Sequence, residues 1–274
     1  MPTNKQRREQ AQRRLQRQLE RREQLARKRR RNLLIGVTVL AVLAVVGAFF
    51  IITGLADDDA DTTAAPSSSS AASSASAAPA GQTTVAGPCT YTTDGTASAG
   101  AQVTPPSGDI PTTGTLALTM ATNFGDIGLS LDQATATCAA ASFAALSQQG
   151  YFDDTPCHRE TDSDSLKVLQ CGDPGGTGTG GPGYTFPTQV TGSETYPRGT
   201  VAMANSGSGT DGSQFFLVFG DSTLPADYTV VGRVDDAGLA VLDTIAANGN
   251  DGANGTGDGA PTQPVTITAM TPVA

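Results

Sequence analysis

Hydrophobic and polar positions change rhythm three times along this chain. From Leu33 to Ala56 the sequence LLIGVTVLAVLAVVGAFFIITGLA carries no charged residue. As a helix this run would extend roughly 36 Å, against a hydrocarbon core of about 30 Å. It predicts one transmembrane helix. The run exceeds the apolar stretch of a cleaved signal peptide, and its basic lead is too long for one. Residues 57–88, rich in Ser, Ala, Thr and Pro, then lose all periodicity. Such a composition cannot bury enough apolar surface to order itself. The stretch predicts a disordered linker with a mean reach on the order of 30 Å.

Beyond residue 88 the pattern shortens to periods of two and of three to four. TLALTMATNFGDIGLSLD, residues 115–132, alternates around a turn at Asn123–Asp126 and predicts a hairpin. Ala139, Phe143 and Leu146 recur at helical spacing before Gly150. SLKVLQC, GTVAMANS, SQFFLVFG, DYTVVGRV and PVTITAMTPV predict further strands. Leu239, Leu242 and Ile245 mark a second helix. Short strands, two helices and long Gly-rich loops predict a mainly β domain, an antiparallel barrel capped by helices.

Charge separates the same regions. The net charge is −9, yet thirteen of the seventeen Lys and Arg fall within residues 1–33. The remainder is strongly acidic. A basic segment against an apolar span predicts a cytoplasmic N-terminus and an outer domain. The lead has no aromatic residue for base stacking, so a solvated helix near anionic headgroups is expected rather than nucleic-acid binding. The expected organisation is a basic cytoplasmic segment 1–32, a span 33–56, a linker 57–88 and a folded domain 89–274. The protein would be a single-pass cell-membrane protein with its domain outside.

All four cysteines, Cys89, Cys138, Cys157 and Cys171, lie in the outer part, which argues for disulfides. Three pairings are open. With one His and no C-x-x-C spacing, no metal site is expected. GTGTGGPG lacks the G-K-S/T ending of a phosphate loop. NGNDGANGTGDGAP lacks the ligand spacing of a calcium loop and predicts a surface loop.

In order, CHR (157–159), LQCGDP with GGTGTGGPGY (169–184), MANSGSGTDGSQFFLVFG (203–220) and TVVGRV (229–234) stand between the predicted hairpin and the last strand. This series resembles the cyclophilin family of peptidyl-prolyl isomerases over roughly residues 116–273. The lead, span and tether look like membrane-anchored bacterial members. The resemblance implies a closed eight-stranded antiparallel barrel with a helix over each end. It implies catalysis by Arg159 and a proline pocket of Phe216, Val168, Leu224 and Tyr228. Gln170 and Gln214 would bond the peptide or orient Arg159. Ala204, Asn205 and Ser206 would form a ledge, with Asn205 acting through its backbone. Gly178 would let a loop pass close to the ligand. His158 joins the substrate-binding set as a structural group. Cys157 and Cys171 would pair across neighbouring strands, leaving Cys89 to join Cys138. Expected partners are proline-containing polypeptides; no cofactor is needed, and a monomer is expected.

The implied chemistry needs no proton carrier. An X-Pro bond turns over a barrier of about 18–20 kcal/mol because nitrogen shares its lone pair with the carbonyl, and unaided exchange takes tens to hundreds of seconds. A fixed N–H beside the twisted nitrogen bonds the freed lone pair. Raising the rate to about 1,000 per second requires roughly 7 kcal/mol. One charge-assisted hydrogen bond contributes about 1.5–3 kcal/mol; the pocket must supply the rest.

Three positions depart from the family pattern. Lys167 stands where a pocket aromatic is usual, and a one-residue shift would bring Leu166 in instead. ETDSDS, residues 160–165, forms a longer, acidic loop. The chain has no Trp, with Thr223 near its usual place, which should weaken cyclosporin binding more than turnover. Lys167 and the acidic loop leave a rival reading: a proline-segment-binding module acting as an anchored chaperone or adaptor without turnover.

Overall fold

The computed structural model describes residues 81–95, 97–98 and 103–273. The basic segment 1–32, the apolar span 33–56 and residues 57–80 of the expected linker lie outside the described residues. Among the described residues no helix is long and apolar enough to cross a membrane.

The strands in chain order are β1 (Thr83–Ala86), β2 (Cys89–Thr93), β3 (Thr115–Thr122), β4 (Gly125–Asp132), β5 (Thr155–Cys157), β6 (Arg159–Asp162) and β7 (Lys167–Cys171). They continue as β8 (Tyr184–Pro187), β9 (Thr200–Met203), β10 (Thr210–Asp211), β11 (Phe215–Gly220), β12 (Val230–Val234), β13 (Asp258–Gly259) and β14 (Val265–Pro272). Helix α1 spans Thr137–Gln148 and α2 spans Asp236–Ala246. The expected hairpin is β3 and β4, with Leu118 opposite Leu129 and Met120 opposite Ile127, all four buried. Both helices bury the expected faces. Phe143 and Leu146 of α1 and Leu242 and Ile245 of α2 are inside, while Leu239 is half-buried. Asp235 caps α2 by accepting from Gly238 N at 2.6 Å. Gly238 is required by packing: a Cβ there would lie 2.8 Å from Ile127 Cγ2.

Ten strands form one curled antiparallel sheet in the order β13-β6-β7-β11-β9-β12-β4-β3-β14-β5. The hydrogen-bonded order shows a curled sheet and does not itself show the closed eight-stranded barrel that was expected. The terminal strands β13 and β5 do not pair with each other, so the sheet is a half-barrel with two edges. The cause is local. The chain breaks at His158; β5 pairs with β14 before it and β6 pairs with β7 after it. The break lets one chain segment serve both margins of the curl without a continuous ladder. The Cys157–Cys171 disulfide, Cα atoms 4.0 Å apart, ties the two margins at this break.

The described strands begin before Cys89. Thr83–Ala86 forms β1, antiparallel to β2, in a second sheet ordered β1-β2-β8-β10. Composition concealed this strand because its partner is the next segment, not a distant apolar face. Tyr91 of β2 packs edge-on against Tyr184 and Phe186 at 5.7 and 5.5 Å, and its hydroxyl donates to Cys138 O at 2.9 Å. The Cys89–Cys138 disulfide fastens the same hairpin to α1. Both expected pairings are therefore present, and no cysteine is free.

A Cys89→Ser/Cys138→Ser variant is expected to lose roughly 2–4 kcal/mol of stability. Its denaturant midpoint would fall while Cys157–Cys171 stays intact. An unchanged midpoint would show that the hairpin docks without the crosslink.

Candidate active site

Strand β11 divides its aromatics between two faces, as alternation requires. Phe215 is fully buried, 5.0 Å from Phe143 and 5.7 Å from Phe152 by ring centroids. Phe216 points the other way into a separate apolar cluster with Val168, Tyr196, Ala202 and Val218. There it meets Tyr228 edge-on at 5.6 Å and Tyr196 at 6.2 Å. A cavity of about 140 Å³ opens over this cluster. Its walls are Phe216, Val168, Leu166, Leu224 and Tyr228, and its polar rim is Arg159, Gln170, Ala204 and Asn205.

Leu166, not Lys167, lines the hollow. Between Val218 and Gly220 the β7–β11 register slips by one, so that Gly220 faces Lys167. The Lys167 ammonium turns outward to Asp162. The expectation that residues 160–165 form a loop is corrected in part. Glu160, Thr161 and Asp162 continue β6, and only residues 163–165 turn. Thr223 N donates to Ser165 O at 2.8 Å and ties that turn to the pocket's far side.

Arg159 stands opposite Gln170 in the β6–β7 ladder. Its Nη1 donates to Gln170 Oε1 at 3.4 Å, Gln170 Nε2 to Gln214 Oε1 at 2.9 Å, and Gln214 Nε2 to Gly180 O at 2.9 Å. The two amides thus form one polar chain from the guanidinium to the Gly-rich loop. The other edge of the guanidinium is taken by Asp258: Nε donates to Oδ1 at 2.8 Å and Nη2 to Oδ2 at 2.6 Å. This hydrogen bonding raises the Arg159 pKa further, against the pull of burial, and the same contact lowers that of Asp258. The pair lies 99 residues apart, and Asp258 sits in what reads as a surface loop. No local pattern could have joined them.

Three expected residues take other positions. Ser206 and Gly178 line a neighbouring cavity of about 480 Å³, which shares Gln170, Ala204 and Asn205 with the first. Asn205 spends its side chain on the backbone, donating to Asp227 O at 3.0 Å and accepting from Gly207 N at 2.9 Å. His158 lines neither cavity. Its ring lies behind Gly178, with both nitrogens buried and without hydrogen-bond partners, and burial pushes its pKa down.

Two framing residues escaped the sequence reading. Tyr196 Oη donates to Tyr228 O at 3.0 Å and Pro225 O at 3.2 Å, while Tyr228 N donates back to it at 3.1 Å. It pins the loop that carries Leu224 and Tyr228. Asp173 is wholly buried and accepts from Gly175, Thr177, Gly178 and Gly180 backbone N–H groups at 2.8–3.1 Å. Burial alone would raise its pKa, but these bonds with Ser98 and Thr177 hydroxyls bring it down to about 2. The glycine run wraps the chain's own carboxylate. An acid followed by that many glycines was the signal available.

A model of the cyclophilin type peptidyl-prolyl cis-trans isomerase family matches residues 117–272. The chain belongs to the cyclophilin family. "Probable peptidyl-prolyl cis-trans isomerase B" of Mycobacterium leprae is 47% identical over 294 residues, covering 98% of this chain and 99% of that protein. The protein of the same name from Mycobacterium tuberculosis (strain CDC 1551 / Oshkosh) is 46% identical over 179 residues, 61% of this chain and 58% of its own. Among solved structures, a cyclophilin type isomerase of Cryptosporidium parvum superposes with a TM-score of 0.51 at 29% identity, covering 59% of this chain and 99% of its own. This cyclophilin is a peptidyl-prolyl cis-trans isomerase.

Next to Arg159, Glu160 is fully buried with neither carboxylate oxygen hydrogen-bonded. Burial first, and then the charge of Asp162, push its pKa up to about 7 against a smaller opposing pull from the Asn250 side chain. The folded state therefore holds a proton that the unfolded chain releases near 4.5. Stability falls as pH rises between those values and is lowest above about 7. A Glu160→Gln variant, which removes the charge, is expected to be more stable than the parent at pH 8 by up to about 3 kcal/mol, at 1.36 kcal/mol per pKa unit. The gap should close towards pH 5. A gap independent of pH, measured by urea unfolding, would refute the assignment.

Proposed function

We propose that this isomerase acts on X-Pro bonds of exported or cell-envelope proteins. Arg159 would assist the loss of imide resonance while an apolar hollow grips the prolyl ring. The observation that carries this reading is the half-exposed Arg159 guanidinium at the rim of a hollow floored by Phe216. Two of its five N–H groups go to Asp258 and one leans on Gln170, leaving two for a ligand.

In this mechanism the proline ring enters against Phe216, Val168, Leu166, Leu224 and Tyr228. Water leaves, and every polar interaction at the rim strengthens. Gln170 and Gln214 orient Arg159 and bond the peptide backbone. Ala204 and Asn205 form the ledge beside the ring through main-chain groups, and Ser206 and Gly178 border the path of the flanking residues. As the bond twists, the nitrogen becomes pyramidal and its lone pair accepts an N–H of Arg159. Nothing is deprotonated, so neither His158 nor Glu160 is needed. The chief support for a binding module without turnover was Lys167 in the pocket. That side chain pairs with Asp162 outside it.

The location follows from the N-terminal pattern. Residues 1–32 would lie in the cytoplasm, 33–56 would span the membrane and 57 to about 80 would tether the domain outside. The domain would work as a monomer and bind cyclosporin weakly.

A protease-coupled proline-peptide assay on the full-length chain in detergent micelles tests the mechanism. Arg159→Ala is expected to lower kcat/KM roughly 10- to 200-fold, the rate equivalent of one charge-assisted hydrogen bond. Equal, accelerated rates for parent and variant would show that Arg159 is not the catalytic group.

A further inference from the structure

We infer that Asp258 is a positioning residue for the isomerase reaction: it clamps one edge of the Arg159 guanidinium so that the opposite edge faces the proline pocket. The inference rests on the catalytic role of Arg159 proposed above and deepens it. Both Asp258 oxygens engage the cation, one at Nε and one at Nη2, in the fork-to-fork geometry peculiar to Arg and carboxylate. A single contact would leave the planar group free to swing; two parallel ones fix its plane. Nη1, whose hydrogens are not taken by the carboxylate, lies towards Gln170 and the hollow.

The clamp is itself built in place. Asp258 pairs with Thr161 and Gly259 with Glu160, so β13 is hydrogen-bonded to the strand that carries Arg159. Asn254 donates from its backbone to Asp258 O at 2.9 Å and from its side chain to Oδ1 at 3.3 Å. Gly257 has φ +71°, and a Cβ there would lie 2.3 Å from Asp162 O, so the approach to the strand requires glycine. Asp251 Oδ1 closes the loop by accepting from Ala253 N and Ala260 N, each at 3.0 Å. A carboxylate held this firmly loses little freedom when it grips the guanidinium. Its rim position keeps the pair hydrated enough to stay charged, with the Arg159 side chain 37% exposed and that of Asp258 23%. The lone pair of a twisted imide needs an aimed donor more than it needs net charge, so the clamp aids turnover.

The test uses the full-length chain in detergent micelles, with Asp258→Asn, Asp258→Glu and Arg159→Ala beside the parent. Asp258→Asn preserves shape and removes the charge. It should lower turnover roughly tenfold to a hundredfold, the scale set by small misplacements of a reacting group. The dissociation constant for a proline peptide should stay within about twofold, since the hollow is untouched. Asp258→Glu should recover part of the rate. In the parent, ¹⁵N spectra should show the Arg159 Nε–H, assigned by its loss in Arg159→Ala, exchanging with solvent more slowly than free arginine, and Asp258→Asn should abolish that protection. Parental or faster turnover in Asp258→Asn, with Arg159→Ala impaired, would overturn the inference alone. An unprotected Nε–H in the parent would overturn it without any variant. Parental turnover in Arg159→Ala would overturn it together with the reading on which it rests.

Discussion

Neighbouring residues of an extended strand face opposite ways, and at Phe215 and Phe216 that constraint joins the core of this domain to its pocket. Phe215 is locked among Phe143 and Phe152 inside the curled sheet. Phe216, one residue on, has no freedom to choose another face. The pocket floor is thus as rigid as the core, and deleting a buried Phe typically costs roughly 3–5 kcal/mol. The remaining walls are borrowed: Val168 from the adjacent strand, Leu224 and Tyr228 from a loop pinned by the Tyr196 hydroxyl.

Around the hollow, polar order is supplied by chain segments that hydrogen-bond one another before any ligand arrives. Arg159 leans on Gln170, Gln170 on Gln214, and Gln214 on the Gly180 carbonyl. Gly180 in turn gives its N–H to Asp173. The Cys157–Cys171 disulfide lies two residues before Arg159 and one after Gln170, on the strands that carry them. It fastens the break in the sheet where these side chains emerge. Buried groups with displaced pKa values, Glu160 and His158 among them, stand beside the site, and the proposed rotation gives them no proton to move.

Much of this was legible in sequence because it depended on local pattern. Alternation located β3, β4 and β11, and helical spacing located α1 and α2. The motifs around Arg159, Gln170, Asn205, Gln214 and Phe216 stood in order. What escaped depended on distance. Asp258 meets Arg159 only because β13 pairs with β6, a contact with no trace in composition. Tyr196 reads as a loop residue until the 225–228 segment folds over it. The strand Thr83–Ala86 looked like linker because its residues are small and polar, and it survives by pairing with β2 and by a disulfide one turn away. The break at His158, where pairing passes from β14 to β7 within one chain stretch, has no composition signal either. Lys167 shows the reverse case. Leu166 and Val168, two residues apart, share the face that lines the hollow, while Lys167 between them turns out to Asp162.

The central claim is that an aimed guanidinium, beyond mere capture of proline, accelerates the rotation. Exchange NMR on a proline peptide held at saturation by the full-length protein measures this directly, with Arg159→Lys as the comparison because lysine keeps the charge and loses the planar fork. The account predicts that cis–trans exchange on the variant falls by at least about tenfold while the peptide remains bound. Exchange as fast on the lysine variant as on the parent would contradict it.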